Sequence, residues 1–341
     1  MVVSIGDSKK CGLVAAESIV GMISRDILPV LPGKLRELVT ELPGEILEQL
    51  EEIRLRHGKP LMVGLTREDV IVTDTGQPSS VPEFGYTVTD KDLQRTVQLI
   101  SCSSVYAFEE EIKNGFITIR GGHRVGISGK VTVDRGKVRT IKHISSLNIR
   151  IAREVTGAAD LVMPYLIDPV SKEFQHTLII SPPRCGKTTL LRDIIRQLSM
   201  GVPKLDFKGC TVGVVDERSE IAGCFNGLPQ KDVGIRTDVL DGCPKAEGMI
   251  MLIRAMSPRI IATDEIGKGE DATALEEALN AGIKVLTTAH GRDREEVFQR
   301  PVLKYIMEQG FFQRLVVLGR SRGVGTVEEI TDLGNGKLLM R

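Results

Sequence analysis

Residues 177–198 read TLIISPPRCGKTTLLRDIIRQL: an apolar run, a short loop holding proline and glycine, and a segment with Leu190, Leu191, Ile194, Ile195 and Leu198 at helical spacing. A buried strand that turns tightly into a helix suits phosphate binding, because the loop amides and the first N–H groups of the helix have no partners of their own. The gripping stretch is SPPRCGKTT, Ser181, Pro182, Pro183, Arg184, Cys185, Gly186, Lys187, Thr188 and Thr189. Lys187 is expected to reach the β and γ oxygens of ATP, and Thr188 to offer its hydroxyl to Mg2+. Two positions depart from the usual GxxxxGK[ST] pattern. Ser181 replaces the first glycine, and Arg184 stands where glycine is common.

Downstream, the apolar runs CTVGVVD, RIIATD and KVLTTAH alternate with helical stretches after Lys187, around Ala246–Met256 and after Gly269. Such alternation predicts an α/β, parallel, doubly wound sheet. RIIATDE ends in Asp264 and Glu265, expected at the C-terminal edge of the sheet beside the phosphate loop. There Asp264 would hold a metal-bound water and Glu265 would orient the attacking water in line with the γ-phosphate. Asp216, Glu217 and Glu220 of VGVVDERSEIAG follow another strand of the same sheet; they are either further contributors to that metal and water or a surface charge cluster. VLTTAH ends in His290, a γ-phosphate sensor or a structural histidine. Cys185 either packs inside the loop or is made reactive by the helix N-terminus.

Upstream, Leu35, Leu38, Val39, Leu42, Ile46 and Leu50 predict one or two short helices around Pro43, followed by a strand pair turned at Gly58. Further strands are expected in VIVTDTG, FITIRGGHRVGISGKVTV and LNIRIAR, with a helix over about Asp90–Leu99. The polar, glycine-bearing stretch REVTGAAD (153–160) sets the expected boundary: a smaller N-terminal α+β domain over 1–155 and the nucleotide domain over 156–341.

At 341 residues two domains fit, and 45 Lys plus Arg against 45 Asp plus Glu leave no net pull toward nucleic acid, which is not expected as the main ligand. The six cysteines, at 11, 102, 185, 210, 224 and 243, form no CxxC pair and suit reduced cytosolic thiols. Lys9 and Lys10 precede CGLVAAESIVGMI, but Glu17 and Ser18 interrupt the apolar stretch, and no run nears the roughly 18 residues of a membrane span. A cytoplasmic protein that meets membranes through partners is expected. GTVEEITDLGNGKLLM at the end reads as a closing hairpin that leaves no room for a further domain.

SPPRCGKTT, VVDERSEI, TDEIG and LTTAH resemble, in order, the Walker A, Asp box, Walker B and His box of the hexameric secretion and pilus ATPases. EIRLRHGKPL, SVYAFEEEIKNGFITIRGGHRVGISG and RTDVLDGCPKAEGMIMLIRAMSP are similar to the stage III sporulation protein AA family of endospore-forming bacteria. The resemblance implies a RecA/AAA-like P-loop NTPase that hydrolyses ATP with Mg2+, forms a homo-oligomeric ring, and works with membrane proteins of a channel or secretion complex between mother cell and forespore. It gives Lys187, Thr188, Asp264 and Glu265 Walker roles, puts Asp216 (toward metal) and Glu217 (toward water) in the Asp box, and puts His290 in the His box. In such rings an N-terminal domain supplies arginines to the transferred phosphoryl group. The candidates are Arg120, Arg124, Arg150 and Arg153, the other reading being cations on a solvated strand face, while Arg254 suits a subunit contact. A nucleic-acid-stimulated motor and an ATP-gated scaffold with little turnover, the latter prompted by Ser181 and Arg184, stand as alternatives.

Overall fold

A computed structural model describes residues 18–101, 109–113 and 115–341. The chain forms two units, one from the residues up to Ile119 plus Arg124–Ile151, the other from Arg120–His123 plus Ala152–Arg341.

The first unit begins with short helices α1 (Ile19–Met22), α2 (Gly33–Thr40) and α3 (Gly44–Gln49). Pro43 stands at the cap of α3, so the chain breaks there as the fixed φ of proline requires. Strand β1 (Leu50–Arg56) pairs antiparallel with β2 (Met62–Leu65), Ile53 opposite Val63, after a turn through Gly58 at φ 67. Next come β3 (Asp69–Val72), β4 (Pro78–Ser79), α4 (Asp90–Ile100), α5 (Glu109–Lys113), β5 (Phe116–Ile119), β6 (His123–Asp134) and β7 (Lys137–Arg150). Helix α4 starts on a reciprocal cap: Asp92 N donates to Thr89 Oγ1 at 3.2 Å, and Thr89 N to Asp92 Oδ2 at 2.9 Å. The seven strands lie in the order β4-β3-β2-β1-β7-β6-β5. Of residues 9–23, residues 9–17 with Cys11 lie outside the described residues, as do Cys102 and the first part of SVYAFEEE; Ser18 caps α1, with Gly21 N donating to Ser18 Oγ.

The second unit contains α6 (Met163–Leu166), β8 (Thr177–Ser181), α7 (Lys187–Met200), β9 (Val212–Asp216), β10 (Thr237–Asp241), α8 (Lys245–Met256), β11 (Ile260–Thr263), α9 (Gly269–Asn280), β12 (Lys284–His290), α10 (Arg294–Gln299), α11 (Pro301–Glu308), β13 (Arg314–Gly319), β14 (Thr326–Asp332) and β15 (Leu338–Met340). Its sheet runs β10-β9-β11-β12-β8-β13-β14-β15, parallel as far as β13 and closed by the antiparallel β14–β15 hairpin. Successive strand residues point to opposite faces. Ile179, Val214, Ala262, Leu286 and Val316 therefore pack with α6 and α7 on one side, and Leu178, Ile180, Val215, Ile261, Val285 and Leu315 with α8, α9, α10 and α11 on the other. Helices on both faces make the sheet doubly wound, as the alternation predicted.

In the second unit two strands escaped the sequence reading. In β10 the polar Thr237, Asp238 and Asp241 suit a partly covered edge, so the apolar signal is weak. In β13 the buried run Leu315–Leu318 is too short to tell strand from helix by pattern. The strand order also revises one expectation: β12 lies between β8 and β11, so Asp264 and Glu265 are one strand removed from the phosphate loop.

Residues Arg120–His123 are fastened within the second unit. Gly121 N donates to Gln230 Oε1 at 3.0 Å, Ala152 N to the Nδ1 of the fully buried His123 at 3.0 Å, and Lys231 Nζ to Ala152 O at 3.2 Å.

In α8, a Cβ on Gly248 would come within 2.6 Å of Val215 Cγ1, whereas one on Gly269 at the start of α9 would meet nothing within 4 Å. Gly248→Ala should therefore destabilise by about 1–2 kcal/mol, overpacking outweighing the helix gain, while Gly269→Ala should stabilise by about 0.5 kcal/mol. Urea denaturation of the two variants, read as midpoints against the wild type, checks the opposite signs.

Candidate functional site

Strand β8 is buried along its whole length and ends at Ser181, beside His290 in register on β12. The chain then folds back through Arg184 at φ 59 and Gly186 at φ 81 before α7 begins at Lys187. Glycine adopts this left-handed region freely; for Arg184 it is a strained conformation, costing about 1–2 kcal/mol. Cys185 is 2% exposed with Sγ 3.6 Å from Pro183 O, so it packs inside the loop.

Lys187 carries its ammonium inward, with the residue 7% exposed. Its Nζ lies 3.1 Å from His290 Nδ1. An ammonium only donates, so Nδ1 accepts and the ring proton sits on Nε2, which faces Glu265 Oε1 at 2.8 Å. The three side chains form a continuous path from Lys187 through His290 to Glu265. Burial pulls the Lys187 pKa down, against the opposing field of Glu265, Cys185, Asp264 and Glu220.

Glu265 also stands in the left-handed region, at φ 45, with its N–H donating to Thr288 Oγ1 at 2.9 Å. This kink ends the strand run and brings the carboxylate to His290; Arg218 Nη1 approaches the other oxygen at 3.4 Å. Asp264 is 3% exposed and its Oδ1 has no hydrogen-bond partner. Burial pushes its pKa up to about 6, Lys245 opposing and Asp216, Glu265 and Glu220 adding repulsion. A buried carboxylate oxygen left without a donor fits a cation or its bound water. No cluster of three or more His, Cys, Asp or Glu that could cage a metal occurs among the described residues, so Mg2+ here would depend on Asp264, the Thr188 hydroxyl and the phosphates together.

The Asp box residues have other partners. Asp216 is fully buried, and its oxygens accept from Glu220 N at 2.8 Å, Ile221 N at 3.0 Å and Ala222 N at 2.8 Å, which staples the turn after β9. Its oxygens serve the loop in place of the expected metal contact, although burial still raises its pKa. Glu217 is ion-paired with the buried Lys245; burial raises its pKa, but the hydrogen bond and charge of Lys245 outweigh this and hold it low. Glu265, and not Glu217, therefore meets the Lys187–His290 pair.

Of the candidate arginines, Arg120 and Arg153 belong to the unit that carries Lys187, and Arg124 and Arg150 to the other. Arg124 and Arg150 face each other across β6 and β7, and the Arg124 guanidinium lies 4.0 Å from the Phe116 ring centre. Arg254 is exposed in the last turn of α8. Sequence reasoning missed Lys245, Arg218 and Thr288. Arg218 was within reach, since it sits inside the quoted DERSE; Lys245 meets its partner across 28 positions, which no local pattern reports.

The family described as sporulation stage III, protein AA matches residues 23–338. Stage III sporulation protein AA of Bacillus subtilis (strain 168) is 44% identical over 316 residues, spanning 93% of this chain and 97% of that one. Among solved structures, the ATPase DotB of Yersinia pseudotuberculosis is similar with a TM-score of 0.55 at 15% identity, covering 89% of this chain and 81% of its own. The pilus retraction motor PilT with bound ADP has a TM-score of 0.53 at 15% identity, covering 84% and 78%. These likenesses show the P-loop fold of the secretion and pilus ATPases.

Because the Asp264 pKa rises to about 6 on folding from an unfolded value near 3.8, the native chain binds the extra proton between those values. Stability from this group is therefore lost as pH rises from about 4 to 6, and stays lost above it. Asp264→Asn should flatten that slope and stabilise the ligand-free chain at pH 7.5 by about 1–2 kcal/mol. Urea titrations of both proteins at pH 4.5 and 7.5 read this directly.

Proposed function

The chain belongs to the sporulation stage III, protein AA family, and from that premise we propose that it is a Mg2+-dependent ATPase that assembles as a hexameric ring and powers or assembles a membrane channel or secretion complex between mother cell and forespore. The observation that carries the enzymatic part is the path Lys187–His290–Glu265 beside the orphaned oxygen of Asp264. A buried ammonium resting on a neutral imidazole is poised to exchange it for phosphate oxygens, a stronger, charged acceptor. When Lys187 moves to the β and γ oxygens it frees His290 Nδ1, which can donate to the γ-phosphate once it has taken up a proton, while the Nε2–H keeps hold of Glu265. Glu265, so held, orients water for in-line attack. Thr188 and Asp264 would hold Mg2+, which supplies charge neutralisation at the phosphate oxygens.

The N-terminal domain is proposed to make ring and partner contacts, and arginines from among Arg124 and Arg150 of the first unit and Arg120 and Arg153 of the second are proposed to reach the transferred phosphoryl group, in the same or a neighbouring copy. Hydrolysis would then drive one domain against the other. No helix among the described residues is long and apolar enough to cross a membrane; the ring is proposed to be cytoplasmic and docked on membrane partners. One observation favours an ATP-gated switch instead: Glu265 is tied to both His290 and Arg218. Burst against steady-state phosphate release separates motor from switch.

Lys187→Ala should lower Mg-ATP affinity by about a hundredfold. Glu265→Gln should leave that affinity within about threefold and lower kcat by about 10²–10³. Calorimetric binding and steady-state phosphate release test the pair; an unchanged kcat for Glu265→Gln removes the water-orienting role. Mass measurement should show oligomers growing with ATP, and a monomer at high concentration with nucleotide would refute the ring.

A further inference from the structure

The loop between β13 and β14, Arg320–Gly325, lies on the phosphate loop. A Cβ built on Gly186 would come 3.3 Å from Gly325 Cα and 3.8 Å from Val324 Cγ1. Arg320 Nη2 donates to Arg184 O at 2.8 Å and points to Pro183 O at 3.4 Å. The loop is itself braced: Gly323 N donates to Arg320 O at 3.1 Å, and Ser321 N and Oγ donate to Glu328 at 3.0 and 2.8 Å.

In a trans peptide the C=O and the next N–H point in opposite directions. The Pro183 carbonyl shares its peptide with Arg184 N–H, and the Arg184 carbonyl shares its peptide with Cys185 N–H. A guanidinium seated on both oxygens thus turns both N–H groups away from itself and polarises them toward an anion. It also fastens the residue that stands left-handed without being glycine.

We propose that Arg320 is a positioning residue of the nucleotide site: held on the carbonyls of Pro183 and Arg184, it maintains the left-handed turn at Arg184 and presents the Arg184 and Cys185 amides to the terminal phosphates of a nucleoside di- or triphosphate. This rests on the reading of Ser181–Thr189 as the phosphate site. It gives the arginine at 184 a physical account: glycine would take φ 59 unaided, whereas a side-chain-bearing residue there needs an external clasp. The ligand feature concerned is the β/γ end and not the base.

The test uses the full chain as wild type, Arg320→Lys, Arg320→Ala and the double variant Arg184→Gly/Arg320→Ala. Amide hydrogen exchange at Arg184, Cys185 and Gly186 of the ligand-free protein and affinities for Mg-ATP and AMP are measured. Arg320→Ala should speed exchange at Arg184 and Cys185 and weaken Mg-ATP by about fivefold with AMP within twofold. Arg320→Lys should retain part of the affinity, and Arg184→Gly should restore Mg-ATP binding in the Arg320→Ala background. Unchanged exchange overturns the proposal, as does equal weakening of Mg-ATP and AMP, or a loss that glycine at 184 does not rescue. If even the wild type binds no Mg-ATP, the ATPase reading falls, while the exchange comparison still decides whether Arg320 clasps the loop.

Discussion

A buried ammonium is the constraint around which the second unit is arranged. Lys187 is almost wholly withdrawn from water, and an isolated charge in such a place would be expelled or neutralised. It is tolerated because a lone pair of His290 meets it and because Glu265, Asp264 and Glu220 surround it with negative potential. That company is assembled by strand order. β12 lies between the strand that feeds the phosphate loop and the strand that carries the acids, so the residue ending β12 is interposed between lysine and glutamate.

The acids divide by what their neighbours leave free. Asp216 and Asp264 are both buried, both with pKa values raised first by burial, yet Asp216 receives three amide donors from its own turn and Asp264 keeps an oxygen unmet. Glu217 and Glu265 split likewise, one neutralised by Lys245 and the other linked to the imidazole. Residue type is the same within each pair. Geometry alone gives one member a settled partner, the turn or Lys245, and leaves the other with an unmet oxygen or against the imidazole.

Much of this was legible in the chain. The phosphate loop, the strands that end at Asp216, Thr263 and His290, and the helices on either face all follow from periodicity and from the run of glycine, lysine and threonine. Legibility failed where the signal is not local. Parallel strand order leaves no mark in a linear pattern, so β12 could not be seen to part β8 from β11. Polar edge residues hid β10, and the Lys245–Glu217 and Arg320–Arg184 contacts join positions far apart in sequence. Arg184 departs from the usual pattern, and the side chain that holds its carbonyl lies in a loop more than a hundred residues away.

The four residues Arg120–His123 have a consequence for how this chain can be rearranged. They interrupt the first unit, yet are bonded into the second, where Gly121 meets Gln230 and Ala152 meets the buried His123. No single breakpoint separates the two units intact. A gene fusion or proteolytic cut at 151/152 would strip the nucleotide-binding half of its buried imidazole and leave Gln230 and Ala152 without their partners. Recombination that moves nucleotide-binding modules between proteins as cassettes would have to carry this inner strip along, which ties the inheritance of both halves together.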